Sequence, residues 1–245
     1  MLFYSKLGCR TISENTQVSL PLVTDARRSL ESYYVGPNTE LLHILTQLTH
    51  QSQVRMVFLY GPTGTGKSHL LNGVITSSGV SGNYIPLSVP GAGLDLLTTI
   101  DKPMLVCFDD AEKVSTDAQV ERNLLGLYER VMAQNGWIVV SSQFSPSQSG
   151  IKLKDLVSRF NSGLVYRIKE LNDEQKAEAF SWAARRRGLE LTEETVTWVL
   201  RRAPRETQSL FLLLDKIDQT ALQTGERVTI PFLRKHKILE SRLIA

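Results

Sequence analysis

The feature that most constrains this chain is the stretch GPTGTGKSH at positions 61–69. It fits the pattern GxxxxGK[S/T] through Gly61, Gly66, Lys67 and Ser68, and it stands between the apolar run VRMVFLY and a segment of helical pattern. Glycines let backbone N–H groups approach phosphate oxygens, and the start of a helix favours an anion. We expect Lys67 to reach the β- and γ-phosphates of a nucleotide and Ser68 to bind Mg²⁺ through its hydroxyl. A plain glycine-rich turn between strand and helix is the alternative.

Two aspartates follow a second apolar run. The stretch PMLVCFDD ends in Asp109 and Asp110, so two carboxylates stand at the end of a strand that the pattern predicts to be buried. In a phosphate site, one carboxylate can orient the metal through water and the other can position the attacking water. The alternative is that they cap the start of a helix. The next strand candidate closes with SSQ, where the side chain of Gln143 could sense the γ-phosphate.

Apolar runs of strand length alternate with segments of helical length up to residue 171. The strand candidates are residues 54–60, 82–89, 103–110, 136–142 and 163–171, and the clearest helix candidates are residues 39–51 and 117–136. This alternation predicts an α/β fold with a parallel sheet covered by helices. We expect this nucleotide-binding domain to span residues 29–171, after a flexible leader at residues 1–28.

From Asn172 onward, helical patterns follow one another with little strand pattern between them. Asn172 and Gln175 have the spacing of a helix capping box, and Gly188 suits the end of a helix. Thr229 can cap a last helix. We therefore predict a small all-α domain at residues 172–245.

The bulk composition excludes several classes of protein. The net charge of +3 is too close to balance to imply a nucleic-acid-binding surface. The two cysteines, Cys9 and Cys107, have neither the spacing of a zinc site nor that of a disulfide framework. The first apolar run breaks at Lys6, far short of a signal peptide, and no stretch has the length of a membrane span. These properties favour a cytoplasmic protein that does not enter a membrane.

Taken in order, the motifs resemble those of the AAA+ P-loop ATPases and, more narrowly, of the family of the bacterial replication initiator DnaA. SLESYYVGPNTELL is similar to the family's base-binding segment, YGPTGTGKSHLL to its Walker A motif and LVCFDDAE to its Walker B motif. VVSSQFSP occupies the place of sensor 1, LVSRFNSGLVYRI resembles the arginine-finger box, and APRETQSLF resembles sensor 2. The resemblance implies a AAA+ domain followed by a helical lid.

The resemblance also implies ADP or ATP with Mg²⁺ as cofactors. The nucleotide-binding residues that it implies are Tyr34, Val35, Gly36, Asn38, Gly61, Thr63, Gly64, Thr65, Gly66, Lys67, Ser68, His69, Gln143 and Arg205. By its position alone, His69 is more typical of a helix surface. Ser68 and Asp109 would hold the metal through the nucleotide, and Arg159 would be the arginine finger. Gln143 replaces the acidic residue of the initiator's sensor 1, which favours weak ATP hydrolysis at this protein's own site.

The hexapeptide QVSLPL in the leader resembles the peptide that docks on the sliding clamp of DNA polymerase III. In that mode Gln17 enters a polar pocket, Leu20 and Leu22 enter an apolar one, and Val18 lies between them. An edge strand is the alternative interpretation, because the apolar side chains alternate.

In the initiator, a helix-turn-helix domain would follow the lid, whereas this sequence ends at Ala245. Together with the clamp peptide, this resembles the regulatory members of the DnaA family, which inactivate the initiator after replication has begun. Such a protein inhibits replication: Arg159 would act in trans on ATP bound to DnaA, and DNA would be reached only through the clamp, near the nucleoid and replisome. Self-association is also possible in this family. The alternatives are an autonomous ATPase that loads or remodels a helicase, and an adaptor for which nucleotide is only a structural ligand.

Overall fold

The computed structural model describes residues 29–50, 53–89, 97–100, 102–114 and 117–239, and the hexapeptide with Gln17, Val18, Leu20 and Leu22 lies outside them. Within these residues, five strands form one sheet with the order β2-β3-β4-β1-β5. All of the strand pairs are parallel. The strands are β1 (Met56–Tyr60), β2 (Gly82–Pro86), β3 (Leu105–Asp109), β4 (Trp137–Ser142) and β5 (Leu164–Arg167). The predicted parallel sheet is thus confirmed.

The strands are continuous apolar runs because both faces of the sheet are covered. On one face Phe58 and Phe108 join a core that also contains Phe160. On the other face Val57 and Leu59 pack in a second core. These neighbouring positions of β1 belong to different cores because successive side chains of a strand point to opposite faces.

Helices cover the sheet on both sides. In this domain they include α1 (Thr39–Gln47), α2 (Lys67–Ser77), α3 (Ala118–Ala133) and α4 (Lys154–Ser162). Asp117 caps α3, since its carboxylate accepts hydrogen bonds from the N–H groups of Gln119 and Val120. None of the described helices is both long enough and apolar enough to cross a lipid bilayer.

A second, helical domain follows the sheet domain. Its helices within the described residues are α5 (Asp173–Arg186), α6 (Glu193–Leu200), α7 (Thr207–Thr224) and α8 (Ile230–Lys235). They surround a core of their own that includes Phe180, Val199, Leu214 and Phe232. The caps that the sequence predicts are present: Asn172 and Gln175 exchange hydrogen bonds at the start of α5, and Thr229 accepts one from Phe232 N at α8.

The last strand is shorter than the pattern at residues 163–171 predicts. β5 ends at Arg167, and Ile168 N makes one more backbone hydrogen bond, to the carbonyl of Tyr60 at 2.8 Å. The backbone N–H and C=O of Lys169 both form hydrogen bonds with the side-chain amide of Asn38. The strand therefore stops where this amide replaces a neighbouring strand.

Candidate nucleotide-binding site

The loop between β1 and α2 has the backbone shape that a phosphate site needs. Gly64 has a φ of +84° and Gly66 a φ of +85°, a left-handed conformation that side chains disfavour. A Cβ at Gly66 would lie 2.8 Å from Cε2 of Tyr33, so glycine is required there on two grounds. No side chain of the described residues caps α2, and the first N–H groups of this 11-residue helix are thus available to an anion.

Lys67 lies across this loop. Its Nζ donates hydrogen bonds to the carbonyl oxygens of Gly61 (2.8 Å) and Pro62 (2.9 Å), and only 8% of the residue is exposed. Burial lowers the pKa of its ammonium group, whereas nearby carboxylates act in the opposite direction. These carboxylates belong to Glu112, Asp110 and Asp109. A buried cation between carbonyl oxygens and carboxylates is well placed to meet the negative charge of a phosphate.

Asp109 ends β3 beside this loop and is 3% exposed. Both of its carboxylate oxygens accept hydrogen bonds: Oδ1 from the hydroxyl of Ser141, and Oδ2 from the phenol of Tyr84. The hydroxyl oxygen of Ser141 in turn accepts a hydrogen bond from Asp110 N, at 3.1 Å. A single carboxylate therefore joins the middle of β2 to the ends of β3 and β4.

Asp110 adopts a left-handed conformation with a φ of +58°. Burial raises the pKa of its carboxyl, and the neighbouring charge of Asp109 raises this pKa further. The turn places Glu112 against β4, where Oε2 accepts a hydrogen bond from Gln143 N at 3.1 Å. Oε1 of Glu112 is buried and has no hydrogen-bond partner in the described part of the chain. No sequence motif marks this carboxylate as part of the site, although Glu112 stands two residues after Asp110.

The segment that leads into α1 contacts the phosphate loop. The phenol of Tyr33 donates a hydrogen bond to the carbonyl of Thr65, at 3.2 Å, and burial raises the pKa of Tyr33 to about 12. The imidazole of His69 lies 3.0 Å from the hydroxyl of Ser32 and packs edge-on against the ring of Tyr33. His69 thus faces the leading segment within the folded domain.

The same segment reaches the helical domain. The phenol of Tyr34 donates a hydrogen bond of 2.6 Å to Oε2 of Glu178 on α5, and this bond raises the pKa of Tyr34 to about 12. Gly36 has a φ of +47°, and a Cβ there would lie 2.7 Å from Cδ2 of Leu171. The carbonyl of Val35 accepts a hydrogen bond from Asn38 N, at 2.9 Å. The segment therefore bridges the sheet domain and the helical domain.

Known proteins are similar to both domains. Residues 173–236 match the family model described as Hda, lid domain. The chain is similar to domain III of the replication initiation protein DnaA from Thermotoga maritima, with a TM-score of 0.72, 20% identity and coverage of 88% of this chain and 98% of that one. The chain has the AAA+ fold with an Hda lid domain. The chain thus shares the fold of DnaA domain III, and its helical domain matches an Hda lid domain.

Two further structures share this AAA+ fold. AMPPCP-bound DnaA from Aquifex aeolicus is 20% identical, with a TM-score of 0.69 over 89% of this chain and 71% of that chain. A mutant of RuvB from Thermotoga maritima is 18% identical, with a TM-score of 0.63 over 87% and 72% of the two chains. At these identities, the likeness concerns the fold.

The Hda lid lies against the phosphate loop. A Cβ at Gly64 would stand 3.4 Å from the backbone nitrogen of Gln208, in the first turn of α7. Arg205 precedes this turn and is exposed. Thr63 is also exposed, whereas the hydroxyl of Thr65 donates a hydrogen bond to the carbonyl of Pro62, at 2.9 Å. The structure thus brings the loop and the region of Arg205 to one side of the AAA+ domain.

Arg159 lies elsewhere. It is exposed in the last turn of α4, and Gly163, at the end of that helix, abuts Met56: a Cβ on Gly163 would lie 2.6 Å from the Met56 carbonyl oxygen. Met56 begins β1, whereas the phosphate loop follows its end, roughly 13 Å further along a five-residue strand. The Arg159 helix therefore ends at the opposite edge of the sheet from the phosphate loop of its own chain.

Proposed function

We propose that this protein is a negative regulator of replication initiation that promotes hydrolysis of the ATP bound to DnaA. The proposal combines three parts: a nucleotide held in the phosphate loop, an arginine finger offered to the initiator, and docking on the DNA-loaded sliding clamp. The observation that carries it is the placement of Arg159, exposed at the edge of the sheet away from its own phosphate loop, in a chain with an Hda lid.

The first part is the binding of ADP or ATP with Mg²⁺. The left-handed glycines, the uncapped start of α2 and the buried ammonium of Lys67 fit the phosphates. Ser68 and Asp109 would hold Mg²⁺ through the nucleotide, and the metal would neutralise negative charge on the phosphates. Tyr34, Val35, Gly36 and Asn38 would lie on the adenine side. Gln143 and Arg205 would lie near the terminal phosphate.

Hydrolysis at this protein's own site is proposed to be weak. Gln143 has a neutral side chain at the place where the resemblance puts the acidic residue of sensor 1. The bound nucleotide would then act mainly to hold the AAA+ domain and the lid together for contact with the initiator.

The second part is the action of Arg159 in trans. A guanidinium keeps its charge in every relevant protein environment and matches the oxygens of a phosphoryl group. No hydrogen bond or ion pair of its guanidinium occurs within the residues that the structure describes. Such a side chain can enter the active site of a second AAA+ protein, where arginine fingers accelerate hydrolysis about 10³- to 10⁵-fold. Through the same edge, the protein could also associate with a second copy of itself.

The third part is recruitment. The peptide with Gln17, Val18, Leu20 and Leu22 would bind the clamp as an extended strand, with alternate side chains as anchors. DNA is then reached through the clamp, which would place the protein at the replisome. Replacing both Gln17 and Leu20 by alanine should abolish clamp binding and leave nucleotide affinity and thermal stability unchanged. A loss of thermal stability with intact clamp binding would support the edge-strand interpretation.

The decisive experiment measures hydrolysis of DnaA-bound ATP with and without DNA-loaded clamp. We expect hydrolysis to need both this protein and the clamp, and Arg159→Ala to lower the stimulated rate at least about 100-fold. Arg122→Ala, an exposed arginine on α3, serves as the matched control and should retain the rate. If Arg159→Ala still stimulated hydrolysis at the full rate, the arginine-finger hypothesis would be wrong and the protein would act only as an adaptor.

The second candidate function, an autonomous ATPase that loads or remodels a helicase, is favoured by one observation. Lys67, Asp109 and Asp110 all lie around the phosphate loop, as a working catalytic set requires. Such an enzyme would hydrolyse ATP alone. Turnover measured without clamp and DnaA therefore separates it from the proposed regulator.

A further inference from the structure

A cleft in the lid lies between α6 and α8. Its volume is about 310 Å³, within the range of roughly 300–1,000 Å³ that is typical of small-molecule sites. Most of its wall comes from α6 and the residues at the C-terminal end of that helix, and the start of α8 supplies the rest. The lining residues are Glu194, Thr197, Trp198, Arg201, Arg202 and Ile230. None of them belongs to the proposed nucleotide or clamp sites.

Arginines from two helices meet at the indole ring of Trp198, which lines this cleft. Cζ of Arg202, four residues further along the chain, lies 4.4 Å from the ring centroid, and Cζ of Arg234 on α8 lies 5.6 Å from it. Both distances are within the range of a cation–π interaction. The two guanidinium groups are therefore within about 10 Å of each other, and Arg201 lines the same cleft.

The charges of these arginines are not balanced by ion pairs. Arg227, elsewhere in the lid, pairs with Glu190 at 2.5 Å. Among the residues that the structure describes, no ion pair forms at Arg201, Arg202 or Arg234. Guanidinium groups that converge on one cleft without carboxylate partners create a positive potential there, and this potential favours an anionic ligand.

A purely structural role is the competing explanation, because arginines in the last turn of a helix complement its dipole. Arg202 has this role: its Nη1 donates a hydrogen bond to the carbonyl of Trp198, at 3.3 Å. Arg234 is also in the last turn of its helix. A favourable helix end does not require, however, that both side chains meet at one ring, where their like charges repel each other.

The indole of Trp198 provides an independent observation. Its Nε1–H is buried and has no hydrogen-bond partner within the described part of the chain. Buried donors in proteins almost always have a partner. Because the ring lines the cleft, a ligand oxygen that enters beside it could accept this hydrogen bond.

We propose that the cleft between α6 and α8 binds the dianionic phosphate group of a small molecule. The positive charges of Arg201, Arg202 and Arg234, against the single negative charge of Glu194, leave a net charge of +2 at the cleft. A phosphate monoester carries about −1.5 to −2 at neutral pH, whereas a phosphodiester or a carboxylate carries one negative charge. Guanidinium groups match phosphoryl oxygens in geometry, and the hydroxyl of Thr197 is a further donor. This site is separate from the proposed phosphate loop and does not depend on it.

The test follows the indole N–H signal of Trp198 in a nitrogen–proton correlation spectrum of the full chain. Trp198→Phe assigns this signal among those of the three tryptophans. Inorganic phosphate is added at about pH 8, where it is a dianion, at constant ionic strength and with ADP and Mg²⁺ present to occupy the proposed phosphate loop. We expect a saturable shift with a Kd of about 1 mM or tighter. Dimethyl phosphate and acetate, which carry one charge each, should bind at least about tenfold more weakly.

Variants on both helices separate binding from a structural role. Arg202→Gln and Arg234→Gln should each weaken phosphate binding about tenfold, as for loss of a hydrogen bond to a charged group. Arg227→Gln, whose arginine pairs with Glu190, is the matched control and should stay within about twofold of the wild type. Glu194→Gln should instead tighten binding severalfold, because it removes a negative charge from the cleft.

Thermal unfolding of each variant completes the test. If the arginines serve only the helix ends, Arg202→Gln and Arg234→Gln should lower the unfolding temperature and leave the phosphate affinity unchanged, and the inference would be overturned. A shift that does not saturate, or an equal response to phosphate, dimethyl phosphate and acetate, would overturn it as well. None of these outcomes affects the proposed function, because the nucleotide and Arg159 lie outside the cleft.

Discussion

The side-chain amide of Asn38 pairs with the backbone of Lys169 as a neighbouring strand would. Oδ1 accepts a hydrogen bond from Lys169 N at 2.9 Å, and Nδ2 donates one to Lys169 O at 3.0 Å. Asn38 is only 1% exposed, so water cannot replace these bonds. The pair joins the segment that precedes α1 to the chain that leaves β5 for the lid.

Asn38→Ala should therefore destabilise the protein by about 2–4 kcal/mol, since each buried peptide group that loses its partner costs about 1–3 kcal/mol. The free energy of unfolding in urea measures this change. We also expect weaker nucleotide binding, because the leading segment contacts the phosphate loop through Tyr33. Asn161→Ala, an exposed asparagine in α4, is the control and should cost little. Equal losses in the two variants would contradict the role assigned to Asn38.

Gly66→Ala and Gly188→Ala form a matched pair, because both glycines are left-handed, with φ values of +85° and +75°. The strain of about 1–2 kcal/mol is common to both substitutions. They differ in their surroundings: a Cβ at Gly66 meets the ring of Tyr33 at 2.8 Å, whereas one at Gly188 meets nothing within 4 Å. We expect nucleotide affinity to fall at least about tenfold in Gly66→Ala only, as measured by titration with a fluorescent ADP analogue. Unimpaired binding by Gly66→Ala would refute the proposed phosphate loop.

Local patterns predict the parts of this fold that depend on neighbouring residues. The apolar run of β1, the glycines after it and the capping pair Asn172 and Gln175 can all be read from a few consecutive positions. The helices of the lid follow from such signals as well. Each of these features is fixed by interactions within one or two turns of chain.

The remaining features depend on contacts between distant segments. Tyr84 meets Asp109 because β2 pairs with β3 in one particular register, and the sequence does not encode this register locally. The end of β5 depends on Asn38, which lies 131 residues earlier than Lys169. α4 begins without a side-chain cap, so that its start carries no local signal. The carboxylate of Glu112 went unnoticed for the same reason, since only the folded chain brings it close to Lys67.

Glu112→Gln should tighten nucleotide binding severalfold. Of the carboxylates that act on the ammonium of Lys67, that of Glu112 has the largest effect, and it also repels a phosphate brought to the same place. Glutamine keeps an oxygen for the bond from Gln143 N. The affinity for ADP, measured by calorimetry at two salt concentrations, provides the check. Glu193→Gln, at an exposed position of the lid, is the control and should leave the affinity unchanged. Weaker binding by Glu112→Gln would contradict the prediction and would mean that the carboxylate favours nucleotide binding.

The side chain of Glu121 forms hydrogen bonds at the start of α4, the helix that contains Arg159. Its carboxylate is on α3 and 2% exposed, and it accepts hydrogen bonds from Lys152 N at 3.0 Å and from Leu153 N at 2.8 Å. Leu153 is the residue immediately before α4. Within the described residues, these two N–H groups have no hydrogen-bond partner other than Glu121.

Glu121→Gln should therefore weaken the action of Arg159 on DnaA-bound ATP and leave this protein's own nucleotide affinity unchanged. The neutral amide turns one acceptor into a donor against a backbone N–H, which costs about 1–3 kcal/mol of stability and loosens α4. We expect the stimulated hydrolysis of DnaA-bound ATP to fall several-fold, with ADP affinity unchanged. Glu129→Gln, at an exposed position of α3, the helix that also contains Glu121, should alter neither the stimulated hydrolysis nor the ADP affinity. If Glu121→Gln lost stability yet stimulated hydrolysis at the full rate, the position of α4 would not matter for the action of Arg159.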